Sequence, residues 1–320
     1  MKKLYTIIFA LMLAVFALAG CGNSAADNKD SSEKQTEQSG KAFPVTIKDG
    51  TGEKVAVQSK PEKIVSLIPS NTEIAFALGL GKEIIGVSDY DNYPKEVTKK
   101  EKIGGMEFNV EKIISLKPDL VLAHASSAHN SKEGLQQLRD SGITVLIVND
   151  AKTFDEVYES IGMVGKATGK NKEADNLVAD MKEKLGEIET KAKTIKEKDR
   201  KTVFVEVSPA PEIFAAGKNT FIDEMLSLIN ANNAVKEEGW PKLDPEAVIK
   251  SNPDVIITTH GYYTPEPVKN VTSREGWQDI NAVKNNEVAD VHSDKVTRTG
   301  PRLVEGVEGI AKVVYPDVFK

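Results

Sequence analysis

The chain of 320 residues contains one cysteine, five arginines and few aromatic side chains. A single cysteine, Cys21, excludes an intrachain disulfide and leaves no thiolate ligand elsewhere in the sequence. The small number of arginines and a formal net charge of −6 argue against nucleic acid as a partner, because proteins that bind nucleic acid present a basic surface. After residue 19 no apolar run is long enough to span a bilayer.

The sequence also lacks the short motifs of several common enzyme classes. It contains no Gly-x-Ser-x-Gly elbow, no phosphate-binding P-loop and no dinucleotide-binding glycine fingerprint. Ser70 would be a candidate nucleophile only if a histidine reached it. We therefore predict that the protein is not an enzyme and has no catalytic residue and no cofactor. A lipid-anchored hydrolase is the alternative from another functional class.

The N-terminal segment is typical of an export signal. Lys2 and Lys3 precede an apolar run at 4–19 that is short for a membrane span. The run ends in Leu-Ala-Gly-Cys at 18–21, which resembles the bacterial lipobox, where cleavage leaves a cysteine that carries two acyl chains. Two chains give stable anchoring. An ordinary signal peptide with a chance cysteine is the alternative. We predict a signal peptide at 1–20 and a lipid anchor at Cys21, on the extracytoplasmic face of the bacterial cell membrane.

Two further composition changes divide the chain. Residues 21–42 are almost entirely polar and cannot bury enough apolar surface to order themselves, so we predict a flexible tether. Residues 43–320 are long enough for two domains of ordinary size. Strand and helix patterns alternate along this part, which predicts an α/β fold with parallel-type sheets covered by helices.

One segment occurs twice, and its second copy follows 135 residues after the first. Glu111, Ile114, Pro118 and Asp119 correspond to Glu246, Ile249, Pro253 and Asp254, and an apolar strand follows each Pro-Asp. Each copy predicts a short helix that ends before the proline and leads into a buried strand. The repeat predicts two similar lobes, which we place at 43–150 and 201–320.

The segment between the lobes, 151–200, contains a long amphipathic helix. Its apolar residues recur at spacings of three and four, at Leu177, Met181, Leu185, Ile188, Ala192 and Ile195. We predict a helix over 172–198, about 40 Å long at about 1.5 Å per residue. Such a helix joins the two lobes rigidly.

Aromatic and polar side chains follow the predicted strands of both lobes. In parallel α/β sheets ligands bind beyond the carboxyl ends of the strands. Tyr90 and Tyr262 fall there, and Trp240, just ahead of the second repeat, would join the rim of the cleft, in a chain with only two tryptophans and seven tyrosines. Local packing under loops is the alternative for any one of them. As a set they predict a ligand that stacks on aromatic rings.

The histidines do not form a recognisable metal motif. His124, His260 and His292 follow strands and His129 lies close behind the first, but no pair has helical ligand spacing. We therefore predict no metal site, and direct transition-metal binding stays a less favoured alternative.

Several segments together resemble the substrate-binding lipoproteins of ATP-driven (ABC) importers for metal chelates, a family that serves ferric siderophores, haem and vitamin B12. They are 69–74, 77–79, 87–94, 111–119, 216–218 and 300–306. The resemblance implies two α/β lobes joined by one long rigid helix. It also implies capture of a chelate in the cleft between them and delivery to the membrane permease and its cytoplasmic ATPase. We expect a monomer.

The resemblance assigns a role to the repeated glutamates. In that family one glutamate at a helix start in each lobe docks onto arginines of the permease subunits, and Glu111 and Glu246 match these positions. Duplication alone, or a favourable interaction with the helix dipole worth about 0.3–1 kcal/mol, is the alternative explanation.

The vitamin B12-binding members resemble this chain most in 88–94, at Trp240 and in 293–298. Gly105, His124 and Lys295 stand where those proteins have aromatic residues, which thins the stacking surface. We predict cobalamin as the ligand, with a ferric siderophore or haem as the alternative, because only Arg298 and Arg302 are placed to hold an anionic chelate. The predicted ligand-binding residues are Tyr90, His124, Phe214, Trp240, Tyr262, Asp294 and Arg298.

Overall fold

The computed structural model describes residues 43–320. The predicted signal peptide at 1–20, the lipid anchor at Cys21 and the tether at 21–42 lie outside the described residues. Among residues 43–320, none of the helices combines the length and apolar character needed to cross a membrane.

The N-terminal lobe is a five-stranded parallel sheet preceded by a hairpin. The hairpin consists of β1 (Val45–Lys48) and β2 (Lys54–Val57). The sheet order is β5-β4-β3-β6-β7, with β3 (Ile64–Ser66), β4 (Ile84–Val87), β5 (Glu101–Lys102), β6 (Leu120–His124) and β7 (Thr144–Val148). Its helices are α1 (Pro69–Ala77), α2 (Val110–Leu116), α3 (Ala125–Ala128) and α4 (Lys132–Asp140), with a 3₁₀ turn at Lys95–Lys99.

Two helices connect the lobes. These are α5 (Phe154–Thr168) and α6 (Asn171–Ala192), followed by a 3₁₀ turn at Glu197–Asp199. Gly169 ends α5 with φ of 70°, a conformation that favours glycine. The helices cross closely, since a Cβ added at Gly165 would lie 2.6 Å from the Cβ of Ala174.

The C-terminal lobe is a six-stranded mixed sheet. The order is β11-β9-β8-β12-β13, and β10 also pairs with β8. Its strands are β8 (Thr202–Ser208), β9 (Ile213–Ala215), β10 (Asn232–Asn233), β11 (Lys242–Leu243), β12 (Val255–Thr258) and β13 (Val288–Asp290). Its helices are α7 (Phe221–Leu228), α8 (Pro245–Ser251), α9 (Pro267–Thr272), α10 (Asn281–Lys284), α11 (Ser293–Thr297) and α12 (Leu303–Val314).

One apolar core runs through both lobes and the connecting helices. Alternate strand residues point to opposite sheet faces, so Ile64 and Val203 join this shared core while Val65 and Phe204 belong to smaller clusters on the other faces. From α6, Met181 and Leu185 are buried in the shared core. Burying such a side chain stabilises the fold by about 1.5–3 kcal/mol, so α6 holds both lobes.

The predicted α/β fold with two lobes is confirmed, with three corrections. The connecting helix α6 has 22 residues, which corresponds to about 33 Å, and ends at Ala192 rather than at residue 198. Beyond Ala192 the backbone tightens into hydrogen bonds over three residues, and the Asn230 amide donates to the carbonyls of Ala192 and Ile195. The prediction of parallel strands is wrong at β9, which pairs antiparallel with both β8 and β11. The hairpin β1–β2 was not predicted. The lobe boundaries at residues 150 and 200 stay predictions.

The repeated segment has the same backbone conformation in both lobes. The helix ends in a left-handed residue before the proline, Lys117 with φ of 51° and Asn252 with φ of 42°. The following aspartate then accepts backbone N–H groups at the start of the neighbouring strand. Asp119 bonds Glu62 and Lys63 at 2.9 Å, and Asp254 bonds Thr202 at 2.9 Å.

The helix starts are less alike than predicted. The Asn109 side chain accepts from the Lys112 N–H at 2.8 Å, as an N-cap does. Asp244 makes no such bond, and Pro245 occupies the first helical position. Both Asn109 and Asp244 therefore occupy the N-cap position, but only Asn109 caps its helix with the side chain.

Candidate functional site

The loop that carries Tyr90 is anchored from below by a buried polar cluster. Ser88 Oγ donates to Asp91 Oδ2 at 2.6 Å, and Lys102 Nζ donates to the carbonyl oxygens of Ser88 and Asp91, both at 2.9 Å. Burial raises the pKa of the Asp91 carboxyl above its ordinary value. The cluster fixes the loop from β4 while the Tyr90 side chain stays 57% exposed.

The Tyr90 ring lies over Gly105. A Cβ added at Gly105 would lie 3.0 Å from the Tyr90 hydroxyl and 3.2 Å from its ring. Glycine at this position leaves the space that the Tyr90 ring occupies. A larger side chain, such as the aromatic residue of the vitamin B12-binding members, would collide with that ring.

A set of charged and polar side chains joins the two lobes, and we call it the interlobe clasp: Glu73, Asn92, Asp294, Arg298 and Arg302. Glu73 on α1 accepts hydrogen bonds from both clasp arginines, which belong to the C-terminal lobe. Its distances are 2.8 Å to Arg298 Nη1, and 2.9 and 2.7 Å to Nε and Nη2 of Arg302. Because Glu73 is 3% exposed, these bonds form in a water-poor environment where they are strong.

The clasp also holds the loop that carries Tyr90. Asn92 donates to Asp294 at 2.9 Å and accepts from Arg298 at 2.7 Å, and Arg298 donates to the Tyr90 carbonyl at 3.3 Å. Arg302 lies over the Tyr93 ring, 4.0 Å from its centroid, which is a cation–π contact.

These contacts correct one interpretation that the sequence spacing favours. Ser70 and Glu73 match the spacing of a capping box, but Ile68 is the N-cap, Ser70 makes no capping bond and Glu73 pairs across the lobes. Asp294 and Arg298, predicted to bind the ligand, have their polar atoms engaged within the clasp. Any ligand contact by these two residues stays a prediction.

The C-terminal lobe has a second buried charged cluster at the carboxyl ends of β8 and β12. Arg274 pairs with both oxygens of Glu206, at 2.9 and 3.1 Å, and His260 Nε2 lies 3.1 Å from Glu206 Oε1. Burial alone would raise the pKa of Glu206, but the hydrogen bonds from His260 and Arg274 hold it below its ordinary value. Arg274 in turn lies over the buried Trp277 ring, 4.1 Å from its centroid.

His260 therefore does not face the cleft as its position after a strand indicated. It is fully buried and supports a pair of exposed tyrosines. The Tyr263 ring lies 6.0 Å from the imidazole, and Tyr262 packs edge-on against Tyr263 at 4.7 Å. Tyr262 is 72% exposed. Partial burial raises its pKa, and Tyr263 and Asp294 act in the same direction.

Trp240 and Phe221 form another aromatic pair of the C-terminal lobe, with Phe214 on a neighbouring strand. Trp240 is 44% exposed and packs edge-on against Phe221, with ring centroids 5.8 Å apart. Phe214 is half-buried on β9, next to β11 and the Trp240 segment, where Ala215 N–H donates to the Pro241 carbonyl. The structure thus brings Phe214 and Trp240 into one lobe surface.

His124 lies at the carboxyl end of β6 in the N-terminal lobe. Its Nδ1 accepts from the Ser126 N–H at 3.3 Å and lies 2.8 Å from Ser126 Oγ, so the ring caps α3. Burial lowers the pKa of His124. Over residues 43–320 no three histidine, cysteine or acidic side chains come together in a way that could hold a metal ion.

A groove of about 1070 Å³ lies on the side of α6, and its lining includes none of the predicted ligand residues. Glu73 and Arg302 of the clasp form part of its wall. Its rim carries both lysines and acidic residues, and Phe76 and Tyr93 are its aromatic residues. Of these two rings, Tyr93 is exposed but lies against Arg302, so the exposed rings of Tyr90, Trp240 and Tyr262, which we call the aromatic surface, are the better candidates for stacking on a ligand.

The repeated glutamates lie apart from these residues. Glu111 and Glu246 are both exposed in the first turn of α2 and α8. Within residues 43–320 neither carboxylate has a salt-bridge partner. Each is therefore available to a cation on another protein.

Comparison with known proteins gives a consistent family. Residues 64–295 match the family described as periplasmic binding protein. YvrC of Bacillus subtilis, named an uncharacterized ABC transporter substrate-binding lipoprotein, is 54% identical over the full length of both chains. The vitamin B12-binding protein of Pectobacterium carotovorum is 29% identical over 80% of this chain and 89% of its own.

Two solved structures are similar over about four fifths of the chain. A possible iron-binding periplasmic protein of Staphylococcus epidermidis is 38% identical, with a TM-score of 0.72 over 80% of this chain and all of the other. The haem-binding protein RhuT of a Roseiflexus species in apo form is 26% identical, with a TM-score of 0.72 over 81% and 99%. The family resemblance seen in the sequence is confirmed, and the chain belongs to the periplasmic binding protein family.

Proposed function

We propose that this protein is the substrate-binding component of an ABC importer for a metal chelate, with cobalamin as the ligand. It captures the ligand on the aromatic surface between its lobes and delivers it to the permease without chemical change. The similarity to YvrC and to the vitamin B12-binding relative supports this proposal.

One observation carries the choice of ligand: the rings are exposed while the nearby arginines are neutralised. Tyr90, Trp240 and Tyr262 are 57, 44 and 72% exposed. In contrast, Arg298 and Arg302 pair with Glu73, and Arg274 pairs with Glu206. Cobalamin is large and close to neutral, so it suits rings without free guanidinium groups, whereas an anionic ferric catecholate needs cations.

An iron chelate is the second candidate, and a specific observation favours it. The structure named as possibly iron-binding is more similar in sequence, at 38% identity, than the vitamin B12-binding relative, at 29%. A neutral ferric hydroxamate would suit the same surface, and haem would find tyrosine oxygens in Tyr262 and Tyr263.

The exposed glutamates supply the contact with the permease in this proposal. Glu111 and Glu246 sit on separate lobes, so they grip two permease subunits at once through arginines. A contact between exposed charges weakens as salt rises. Cys21 anchors the protein at the extracytoplasmic face of the membrane, and the protein acts as a monomer.

Calorimetric and tryptophan-fluorescence titrations with cyanocobalamin, a ferric hydroxamate, a ferric catecholate and haem test the ligand. We expect the tightest binding for cyanocobalamin and a fluorescence change that Trp240→Phe abolishes, because Trp277 is fully buried. If the hydroxamate or haem bound more tightly, that compound would be assigned as the ligand in place of cobalamin. Binding of none of the four would contradict the proposed function.

A further inference from the structure

The interlobe clasp contains a carboxylate that no local structure requires. The helix α1 does not need the Glu73 carboxylate for its own hydrogen bonds, yet Glu73 is only 3% exposed. A buried carboxylate is costly unless ion pairs and hydrogen bonds compensate it. Both compensating groups, Arg298 and Arg302, come from the other lobe.

The charges of the clasp sum to zero. Glu73 and Asp294 contribute two carboxylates, and Arg298 and Arg302 contribute two guanidinium groups. Arg298 uses both terminal nitrogens, with Nη1 on Glu73 and Asn92 and Nη2 on the Tyr90 carbonyl and Asp294. The clasp therefore has no spare cation, and its bonds act between the lobes.

Arg298 connects the buried pair to the aromatic surface. It contacts Glu73 on α1, and it contacts the backbone of Tyr90 and the side chain of Asn92 on the loop after β4. Any movement of the C-terminal lobe away from α1 must therefore break the contacts that hold the Tyr90 loop. The Gly300 backbone, next to Arg298, also packs near the Ser70 carbonyl at the start of α1.

We propose that the interlobe clasp positions the ligand surface: it holds the Tyr90 loop against the C-terminal lobe and thereby slows ligand release. This inference rests on the proposed function, because it assumes that Tyr90 contacts the ligand. A preformed surface avoids the ordering cost of binding, and interface changes act mainly on the dissociation rate. Glu73, Asn92, Arg298 and Arg302 are positioning residues in this account.

Two variants test the clasp without removing its buried carboxylate. Asn92→Ala loses the bonds to Asp294 and Arg298 at an exposed residue, so the fold is retained. Arg298→Lys keeps one charge near Glu73 but cannot reach Asn92 and Tyr90 as well. The matched control is Glu308→Gln, which removes a surface ion pair with Lys312 within α12.

The first measurement is the cyanocobalamin dissociation rate of the full chain by stopped-flow fluorescence. We expect an increase of about 10-fold for Arg298→Lys and a smaller increase for Asn92→Ala, with the control unchanged, since such changes appear in the off-rate. A residue that only stabilises the fold would lower the urea midpoint and leave this rate unchanged. Unchanged rates in both folded variants would overturn the proposal.

Hydrogen–deuterium exchange without ligand provides a readout that does not depend on cobalamin. We expect faster exchange at 88–93 and 293–302 in both variants and not in the control. If the wild type binds no cobalamin but exchange rises in both segments, the ligand assignment fails and the clasp stands. Unchanged exchange in both segments would show that these bonds do not hold the lobes and would overturn the clasp.

Discussion

The two lobes share a helix, proline, aspartate and strand, but they differ in the residues at the carboxyl ends of their strands. When the lobes are aligned on Asp119 and Asp254, His124 corresponds to Thr259, and the register of the neighbouring strand makes Leu67 correspond to Glu206. The shared aspartates make the same contact in each sheet, because each accepts a backbone N–H group at the start of the neighbouring strand. The residues that differ are those that build the Tyr90 loop, the tyrosine pair and the clasp.

This difference separates the residues that both sheets need for folding from the residues that are particular to one lobe. A duplicated unit retains what each sheet needs, which is a helix stop and a strand-capping carboxylate. The repeated glutamate has no such role inside either lobe, since it is exposed without an ion-pair partner within the described residues. Its presence in both copies fits an external contact, while the aromatic surface is confined to unrepeated positions.

The largest predicted effect comes from giving the C-terminal lobe the residue of the N-terminal lobe. Glu206→Leu leaves Arg274 and His260 buried without their carboxylate, which costs about 3–5 kcal/mol for a broken buried pair. We expect a large drop in the urea midpoint. Glu212→Gln, which removes an exposed ion pair with Lys242 in the same lobe, should leave the midpoint unchanged. Equal midpoints for the two variants would show that Glu206 is not a structural requirement.

A smaller effect separates the two repeated aspartates. Asp119 accepts two backbone N–H groups and Asp254 accepts one, with a longer 3.4 Å contact from Asn281. We expect Asp119→Ala to cost about 1–2 kcal/mol and Asp254→Ala about half of that, because each lost bond to a charged acceptor counts separately. Urea denaturation of the two variants measures the difference. A larger loss for Asp254→Ala would reverse this ranking of the lobes.

The smallest predicted effect is a pH dependence confined to the N-terminal lobe. Burial lowers the pKa of His124 from its ordinary value of 6.5, so below pH 6.5 the unfolded chain binds a proton that the folded chain does not. His124 therefore contributes full stability above pH 6.5 and loses it as pH falls from 6.5 towards the folded-state pKa.

His124→Thr, the residue of the other lobe, should flatten the stability profile between pH 7 and 5. The slope that it removes is at most about 1.4 kcal/mol per pH unit for one proton. Urea midpoints at several pH values measure it. An unchanged slope would place the pH dependence in other groups.

The sequence predicted the parts of the fold that depend on neighbouring residues. Proline, aspartate and the apolar strand of the repeat act within a few positions, so their conformations could be predicted twice. The capping box at Ser70 and Glu73 followed the same local rule and was wrong, because the partners of Glu73 are 225 and 229 residues away. Local spacing carries no information about an ion pair of that kind.

His260 and the connecting helix show the same limit. His260 resembled a loop residue after a strand, but Glu206, 54 residues before it, holds it inside the lobe. The apolar spacing of α6 continues to Ile195, which is buried, yet the helix ends at Ala192, where Asn230 of the C-terminal lobe bonds the last carbonyl. Tyr90, Trp240 and Tyr262 are exposed in the structure, and their contact with a ligand stays a prediction.

The central claim is that the repeated glutamates bind the permease while the aromatic surface binds the ligand. One calorimetric comparison with cyanocobalamin tests it most directly. The two variants are Glu111→Arg with Glu246→Arg, and Tyr90→Leu with Tyr262→Leu, all at exposed positions. We expect wild-type affinity for the first, with uptake by the importer lost, and affinity at least about 10-fold weaker for the second, because each aromatic contact contributes about 0.5–1.5 kcal/mol. Weaker binding by the glutamate variant together with unchanged binding by the tyrosine variant would contradict this account.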